Sequence, residues 1–403
     1  MIPLGPSVDA SRLDHLVRVY RDGLLDDTIP FWLRHGADPE YGGILTCLDR
    51  DGSLLDSDKG VWQQGRFAWM MATLYNTVER RPEWLAAAGH TLRFIESHCI
   101  DADGRMLFHV TRDGLPVRKR RYAFSEAFAA MAFGEHARAT GSAPSRDMAE
   151  RLYRAYGTHE PSPPKWSGTR PMKSMSRPMI QIAVCQSLRE SIGLASADAD
   201  IDRAIDEIRR DFMKPDIRCC MENVGLRGER VDHFDGRLLN PGHAIEGAWF
   251  LMWEGQARAA PEYVRAGCDV LDWMWERGWD QVHGGLLYFT DVDGGPVAEY
   301  WHDMKFWWPH NEAIIAALLA YQLTGDAKYA RMHTMVHDYA YARFPDPEFG
   351  EWFGYLHRDG RLSSPLKGNL YKGCFHLPRQ QLVCWRIADG IRQGRVGLSG
   401  AAQ

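Results

Sequence analysis

Two histidines near predicted helix starts are the residues best suited to chemistry in this chain of 403 residues. His243 follows Asn240-Pro241-Gly242, and His376 follows Gly373-Cys374-Phe375. A histidine side chain titrates near neutral pH, so it can remove a proton from a carbon next to a carbonyl group with little tuning. A second histidine on the opposite face of that carbon would return a proton and invert the configuration. These residues therefore suit proton transfer at carbon.

Charged side chains recur at the equivalent positions of the other predicted helix starts. Glu246 lies one helical turn after His243, where we expect it to orient the imidazole and set its tautomer. We expect Arg66 or Arg379 to stabilise the negative oxygen of an enediolate. Taken singly, each residue also has a structural explanation in capping or core packing, but recurrence in five repeats favours one shared site. The recurring residues are Arg66, Glu126, His243, Glu246, His310, Glu312, His376 and Arg379.

The overall composition narrows the class of protein. The chain has no H-x-H, no H-E-x-x-H, no cysteine cluster and no glycine-rich phosphate motif, so we predict no metal site. Its net charge is −5 without a long run of one sign, which argues against nucleic-acid binding. No apolar stretch approaches membrane length, the first residues do not resemble a secretory leader, and the eight scattered cysteines suit a reducing compartment. We therefore expect a cytoplasmic protein.

Three segments share one pattern, in which an acidic residue precedes Gly-Gly or Gly-Glu, an apolar run and then Asp-Gly. They span 38–52, 280–294 and 346–360, and two looser copies end at Gly114 and near Gly228. Asp-Gly between short apolar runs is a hairpin signal, because glycine accepts positive φ at little cost. The spacing of these turns indicates six units of about 60 to 67 residues.

Two amphipathic segments of helical length lie in each unit. The first helices are predicted to start near Trp62, Ser125, Pro178, Pro241, Pro309 and Pro378, and their partners span roughly 12–34, 83–99, 145–157, 198–214, 261–276 and 327–343. This pattern predicts an all-α fold, an (α/α)6 barrel of twelve helices with short β-hairpins between helix pairs, with a helical solenoid as the alternative. In a barrel the inner helices start on one face, so their first residues converge on one funnel, with His243 and His376 on opposite sides. We expect one catalytic domain over residues 1–394 and a flexible tail over 395–403.

At these residues the sequence resembles the N-acylglucosamine 2-epimerase family. The resemblance covers about residues 38 to 385, and its most specific segments are Trp-Trp-Pro-His at 307–310 and Lys-Gly-Cys-Phe-His at 372–376. Further matching segments are 42–48, 61–66, 111–114, 124–126, 222–224, 240–250 and 351–355.

The resemblance implies interconversion of N-acetylglucosamine and N-acetylmannosamine through the open-chain sugar, with His243 and His376 as the catalytic pair and no cofactor required. It implies a pocket that contains Arg66, Glu222, Glu246, Glu312 and Arg379, and we add Trp308 and His310 from the Trp-Trp-Pro-His segment. It also implies a homodimer and, in many members, stimulation by ATP or another nucleotide that is not consumed. No residue pattern marks that nucleotide site.

The sequence leaves the choice of substrate open. Relatives on this barrel act on mannose or glucose, on cellobiose, or as aldose–ketose isomerases, and the Trp-Trp-Pro-His form favours the acylglucosamine branch. The basic, proline-rich loop 162–177 is either a lid over the funnel or a plain surface loop. Two other hypotheses are a glycoside hydrolase that uses Glu246 and Glu312, and a non-catalytic sugar- or protein-binding module.

Overall fold

The computed structural model describes residues 10–158 and 165–397, in which helices alternate between an outer and an inner ring. The outer helices are α1 (Ala10–Asp22), α2 (Ile29–His35), α4 (Pro82–His98), α6 (Ala143–Thr158), α8 (Ala197–Glu207), α11 (Pro261–Gly278) and α13 (Ala327–Tyr341). The inner helices are α3 (Val61–Thr77), α5 (Phe124–Thr140), α7 (Ser176–Ile192), α10 (Pro241–Ala257), α12 (Trp307–Thr324) and α14 (His376–Arg392). A one-turn helix, α9 (Phe234–Arg237), precedes α10.

The ring of helices is closed, because the first outer helix packs against the last inner helix. α1 lies against α14, and the Arg386 side chain of α14 donates to the Thr77 carbonyl of α3 at 2.8 Å. Trp69 of α3 also packs on Phe375, directly before α14, with ring centroids 5.5 Å apart. The predicted (α/α)6 barrel is confirmed, and the solenoid is excluded. The six inner helices start within two residues of the predicted positions.

Hydrophobic patterning explains which helices lie inside. In α12 the run 313–320 is apolar and entirely buried, so this helix has no side suited to water. The outer helix α8 instead buries a stripe that includes Ile201 and Ile205. Small residues let inner helices approach closely: a Cβ on Gly65 would lie 2.8 Å from the Phe128 backbone, where α3 meets α5.

Short antiparallel strands form a crown at the end of the barrel where the inner helices begin. The strands are β1 (Cys47–Leu48), β2 (Leu54–Asp56), β3 (Lys59–Gly60), β4 (His109–Val110), β5 (Pro116–Arg118), β6 (Met172–Ser174), β7 (Met213–Lys214), β8 (Cys219–Cys220), β9 (Asn223–Gly225), β10 (Leu238–Leu239), β11 (Thr290–Asp291), β12 (Lys305–Phe306), β13 (Tyr355–Leu356) and β14 (Leu362–Ser364). They pair as β1–β2, β3–β4–β5, β6–β9, β7–β8, β10–β11 and β12–β13–β14.

All five predicted turn glycines lie in turns. Positions 52, 114, 228, 294 and 360 have positive φ between 75° and 95°. Hairpins are confirmed at three of them, between β1 and β2, β4 and β5, and β13 and β14. At positions 228 and 294 the adjacent strands pair with other units instead, β9 with β6 and β11 with β10.

A group of three charged side chains, here called an ion triad, connects the crown segments of neighbouring units. The buried Asp38 carboxylate binds Lys59 Nζ at 2.8 Å and the guanidinium of Arg112, from the next hairpin, at 2.9 and 3.0 Å. Lys59 is fully buried and also donates to the Gly42 carbonyl. The same triad recurs as Asp280–Lys305–Arg358 and Asp346–Lys367–Arg50. The last of these joins the sixth unit to the first and closes the crown.

The structure adds detail at the ends of the chain and in the loop before α7. A π-helical segment, Gly23–Thr28, separates α1 from α2. Residues 1–9 and 398–403 lie outside the described residues, so the domain boundary at 394 stays a prediction. Residues 395–397 of the predicted tail are described, and there Gly397 N donates to the Gln322 carbonyl of α12 at 2.7 Å. Of the proposed lid, 162–164 lies outside the described residues, and 172–174 forms β6.

No helix within residues 10–158 and 165–397 combines the length and the hydropathy needed to cross a lipid bilayer.

Candidate active site

A cavity of about 970 Å³ opens where the inner helices begin. Each inner helix places at least one side chain from its first two turns on the cavity wall, as the barrel prediction requires. The wall is rich in aromatic rings, which suit the apolar faces of ring-shaped ligands. The wall residues from the inner helices include Trp62, Arg66, Phe128, Met179, His243, Glu246, Trp308, His376 and Arg379.

His243 stands in the first turn of α10 and is held by two side chains. Asn240 caps the helix, and its Oδ1 accepts from His243 N at 3.1 Å. The Glu222 oxygens lie 3.1 and 3.2 Å from Nδ1 of His243. Asn240 Nδ2 also lies 3.0 Å from Nδ1. The Glu222 carboxylate can only accept, which favours a proton on Nδ1, and no described residue bonds to Nε2. Burial lowers the pKa of His243, but the negative charge of Glu222 outweighs it, so the pKa is raised overall.

His376 begins α14 and is held by a second glutamate. Its Nδ1 lies 2.7 Å from Glu312 Oε1, and the other Glu312 oxygen accepts from Trp249 Nε1 at 2.7 Å. Burial lowers the pKa of His376 well below 6.5; the negative charge of Glu246 does not compensate, and the positive charge of Arg379 lowers the pKa further. The charged form is therefore more favoured at His243 than at His376.

Both histidines flank one tryptophan. The ring centroid of Trp308 lies 5.1 Å from that of His243 and 5.6 Å from that of His376. Trp308 belongs to α12, the inner helix between α10 and α14, so the histidines stand on either side of one helix. The expectation that they face each other across the barrel is therefore wrong. Gly242 permits this packing, because a Cβ there would lie 2.7 Å from the Trp308 ring.

Two of the arginines on the wall, Arg66 and Arg379, come from inner helices near the two histidines, and they differ in what they already bind. Arg379 donates to both Glu246 and Glu312, the latter at 2.7 Å. The guanidinium carbon of Arg66 lies 4.2 and 4.7 Å from the ring centroids of Phe128 and Phe375, and no described residue accepts a hydrogen bond from it. Burial lowers the pKa of Arg66 to about 9, which leaves it charged at neutral pH. Of Arg66 and Arg379, Arg66 is thus the one whose donors bond to no described residue.

Glu246, Glu312 and His376 are the one group among the described residues with the geometry to hold a metal ion, with ligand atoms within 4.8 Å of one another. The Arg379 guanidinium already bonds to both carboxylates and supplies the positive charge that a metal ion would bring. The same contacts hold both carboxylates in ion pairs, whereas a glycoside hydrolase needs one of them as a free acid. The geometry thus disfavours the hydrolase hypothesis.

The structure brings most of the predicted site residues to the cavity. On the wall lie Arg66, Glu222, His243, Glu246, Trp308, His376 and Arg379. Glu312 lies directly behind the wall, where it bonds to His376. Glu246 does not orient His243 as expected, because it pairs with Arg379, and Glu222 takes that role from a neighbouring strand end.

Two predicted substrate contacts are structural residues instead. His310 Nε2 accepts from Leu286 N at 2.9 Å, and its Nδ1 donates to the Phe306 carbonyl at 2.6 Å, so both ring nitrogens are engaged. Burial lowers the pKa of His310 to about 3. Glu126 is buried and accepts from Met106 N at 3.0 Å. Both side chains start an inner helix but turn outward to hold a crown loop, which helix position alone does not reveal.

Asn240 and Trp249 hold the two histidine–glutamate pairs and escape prediction from the sequence. Asn240 had a local signal, because asparagine before Pro241 is a typical helix cap. Trp249 lies one turn after Glu246, but its partner Glu312 is 63 residues away. No local pattern connects these two residues.

Comparison with known proteins identifies the family. The model of the family described as N-acylglucosamine 2-epimerase (GlcNAc 2-epimerase) matches residues 42–374. The N-acylglucosamine 2-epimerase of Bos taurus is 39% identical over 395 residues, covering 93% of this chain and 91% of its own. The chain belongs to this family. Membership makes the protein a sugar 2-epimerase, which is an isomerase.

More distant relatives share the fold. The cellobiose 2-epimerase of Eubacterium cellulosolvens is 22% identical over 375 residues, covering 85% of this chain and 91% of its own. The structure of cellobiose 2-epimerase from Spirochaeta thermophila matches with a TM-score of 0.82 at 20% identity, covering 94% of this chain and 98% of that chain.

Proposed function

We propose that the protein interconverts N-acetylglucosamine and N-acetylmannosamine by moving a proton at C2 of the open-chain sugar. The observation that carries this proposal is the pair of histidines on one cavity, each with Nδ1 beside a glutamate carboxylate and Nε2 bonded to no described residue. A carbon placed between the two Nε2 atoms, over Trp308, would have one base on each face. The C2 proton then passes to one imidazole, and the other imidazole donates its proton to the opposite face.

The different surroundings of the histidines support complementary roles. His376, whose pKa is lowered, is the better suited of the two to accept a proton, and His243, whose pKa is raised, is the better suited to donate one. One turnover leaves the proton on the other histidine, and exchange with solvent resets the pair. Because the roles reverse with the direction of reaction, one arrangement serves both sugars.

Arg66 is suited to stabilise the intermediate. Deprotonation at C2 leaves an enediolate with negative charge on oxygen, and a preformed cation with free donors lowers the energy of that state. Arg379 is paired with Glu246 and Glu312, whereas no described residue accepts a hydrogen bond from Arg66. We assign Arg66 to the oxygen and Arg379 to holding the carboxylates.

The acylated sugar is favoured over cellobiose by the degree of similarity. Identity to the bovine acylglucosamine enzyme is 39%, against 22% for the Eubacterium cellobiose enzyme over a similar length. We expect substrate choice within one barrel to depend on the rim of the cavity.

Proton NMR in D₂O tests the proposal. We expect deuterium to enter C2 of both N-acetylglucosamine and N-acetylmannosamine, and changing His243 or His376 to Asn to lower turnover by about 10²–10⁴. A 2-ketose product would indicate an aldose–ketose isomerase, and new reducing ends from an oligosaccharide would indicate a hydrolase. C2 exchange with mannose, glucose or cellobiose alone would contradict the acylated substrate.

The family resemblance supports two further proposals, namely a homodimer and stimulation by ATP or another nucleotide that is not consumed. The eight free cysteines support the proposal of a cytoplasmic location. Light scattering during size-exclusion chromatography measures the mass against the 45.9 kDa chain. Assays with and without ATP, with ADP monitored, test stimulation. A monomer, or an unchanged rate, would contradict the respective proposal.

A further inference from the structure

The sixth unit departs from the other units directly before His376. In the first and fifth units the triad lysines, Lys59 and Lys305, lie two residues before the inner helix starts. In the sixth unit Lys367 lies nine residues before His376, where α14 starts. The extra segment, 368–375, therefore sets the position at which His376 enters the cavity.

A second departure lies at residue 351. The first and fifth units have glycine at this point, Gly43 and Gly285, with φ of 77° and 75°. The sixth unit has Glu351 with φ of 55°. A residue with a side chain is rarely found in this left-handed region, and such positions are held by the surrounding structure.

The two departures contact each other. Lys372, within the extra segment, bonds through Nζ to Glu351 Oε1 at 2.9 Å and to the Lys367 carbonyl at 2.6 Å. The other Glu351 oxygen accepts from Trp32 Nε1 at 2.5 Å, and Oε1 also accepts from Trp352 N at 2.8 Å. Both charged side chains are about 1% exposed. The buried ion pair of Lys372 and Glu351 thus attaches the extra segment to the core.

The same lysine reaches the wall of the active site. A Cβ on Gly354 would lie 2.8 Å from Lys372 Cδ, and the Gly354 carbonyl accepts from Trp307 N at 3.0 Å. Lys372 Nζ lies 5.6 Å from the ring centroid of Trp307, which packs edge-on against His376 at 6.2 Å. Lys372 therefore lies beside Trp307, the residue that packs against His376. In the chain, Lys372 precedes His376 by only four residues.

We propose that Glu351 and Lys372 are positioning residues, which hold the segment 368–375 so that His376 meets the sugar at the correct place. A buried ion pair by itself contributes little net stability, because desolvation offsets the attraction. One unit contains Glu351 in the left-handed region, Lys372 in the extra segment and His376. This combination indicates that the Glu351–Lys372 pair has a geometric role. The inference rests on the proposed role of His376 in proton transfer.

Two kinds of variant test this role. Glu351→Gln removes one charge, whereas the double variant Glu351→Gly with Lys372→Met removes both and places glycine at the left-handed position. The double variant is expected to keep the fold, because it leaves no buried charge unpaired and relieves the backbone. The control is Glu254→Gln, which removes a fully buried carboxylate that Arg189 binds, three helical turns along α10 from His243.

We expect kcat to fall on the order of 10²-fold in both test variants with KM within about twofold of its original value, because a small misplacement of a reacting group has an effect of that size. Glu254→Gln should lose thermal stability while its kcat stays within about twofold. Equal kcat losses in test and control variants, or a rise in KM with kcat unchanged, would overturn the proposal.

NMR titration of the His376 imidazole supplies a readout that does not depend on turnover. Its midpoint and line shape should change in both test variants and not in Glu254→Gln. An unchanged His376 signal would overturn the proposal. If the unmodified enzyme shows no C2 exchange, the proposed function fails, and the imidazole titration still decides whether Glu351 and Lys372 position His376.

Discussion

His243 and His376 have the same type of partner and opposite pKa shifts. In each imidazole, Nδ1 contacts a glutamate carboxylate. Glu222 nevertheless raises the pKa of His243 overall, whereas burial lowers the pKa of His376. A pair that must hold one proton between them benefits from this difference, because one base and one acid are then present together. Spacing in the sequence indicates both histidines but assigns the wrong glutamate to His243.

Replacing Glu222 with Gln should narrow the pH range of activity on the alkaline side. The neutral amide no longer favours the imidazolium, so the pKa of His243 falls and the proton is lost at lower pH. We expect the alkaline limb of log kcat against pH to move to lower pH and the acid limb to stay in place. Measurements between pH 5.5 and 9, with Glu254→Gln as control, check this. An unmoved alkaline limb would show that Glu222 does not set the charge of His243.

Replacing Arg66 with Met should lower kcat by about 10²–10³, the scale of losing one donor to a developing oxyanion. Arg66→Lys retains the charge and should retain more of the rate. Steady-state kinetics on both sugars separates the effects on kcat and KM. A rise in KM at constant kcat would mean that Arg66 binds substrate and transition state equally.

Among the structural elements, the ion triads account for the acidic residue that begins each of the three repeat segments. The aspartates that open the repeat segments bind lysines and arginines of the crown and do not reach the cavity. The hairpin arginines have a sequence signal, because Arg50, Arg112 and Arg358 each precede Asp-Gly. That signal indicates recurrence, but it does not indicate which aspartate each arginine binds.

Asp346→Asn should lower the free energy of unfolding by about 3–5 kcal/mol, because it leaves Lys367 charged and buried without its carboxylate. Replacing Asp346 with Leu and Lys367 with Met together should cost less, since no unpaired charge remains. Denaturant unfolding measures both variants. Asp359→Asn, on the exposed turn of the same unit, serves as control with an expected change below about 0.5 kcal/mol. A similar loss in the single and double variants would contradict this account.

At the scale of the whole molecule, buried titratable groups make stability depend on pH. Burial lowers the pKa values of His310 and His333 to about 3, so the folded protein resists protonation that the unfolded chain accepts below about pH 6.5. Their contribution to stability is present above that pH and decreases as the pH falls. The triad aspartates have pKa values below 3.8, so their contribution is lost from about pH 4 downward.

We expect the melting temperature to fall as the pH is lowered below about 6.5 and to fall more steeply below about pH 4. His333 links α13 to α1 through Tyr20 at 2.8 Å, and His333→Gln should flatten the first part of the decline. Calorimetry across pH 4 to 7.5 measures both effects. A higher melting temperature at pH 5 than at pH 7.5 would contradict the prediction.

The helices, the turns and the two histidines are predictable from the sequence, because hydrophobic period, proline at helix starts and Asp-Gly turns are local signals. Which charged residues meet depends on the folded structure. Glu126 and His310 share helix-start positions with Glu246 and His376, yet they face the crown loops and not the cavity. The orientation of a side chain at a helix start depends on neighbours that are distant in sequence, and periodicity does not contain that information.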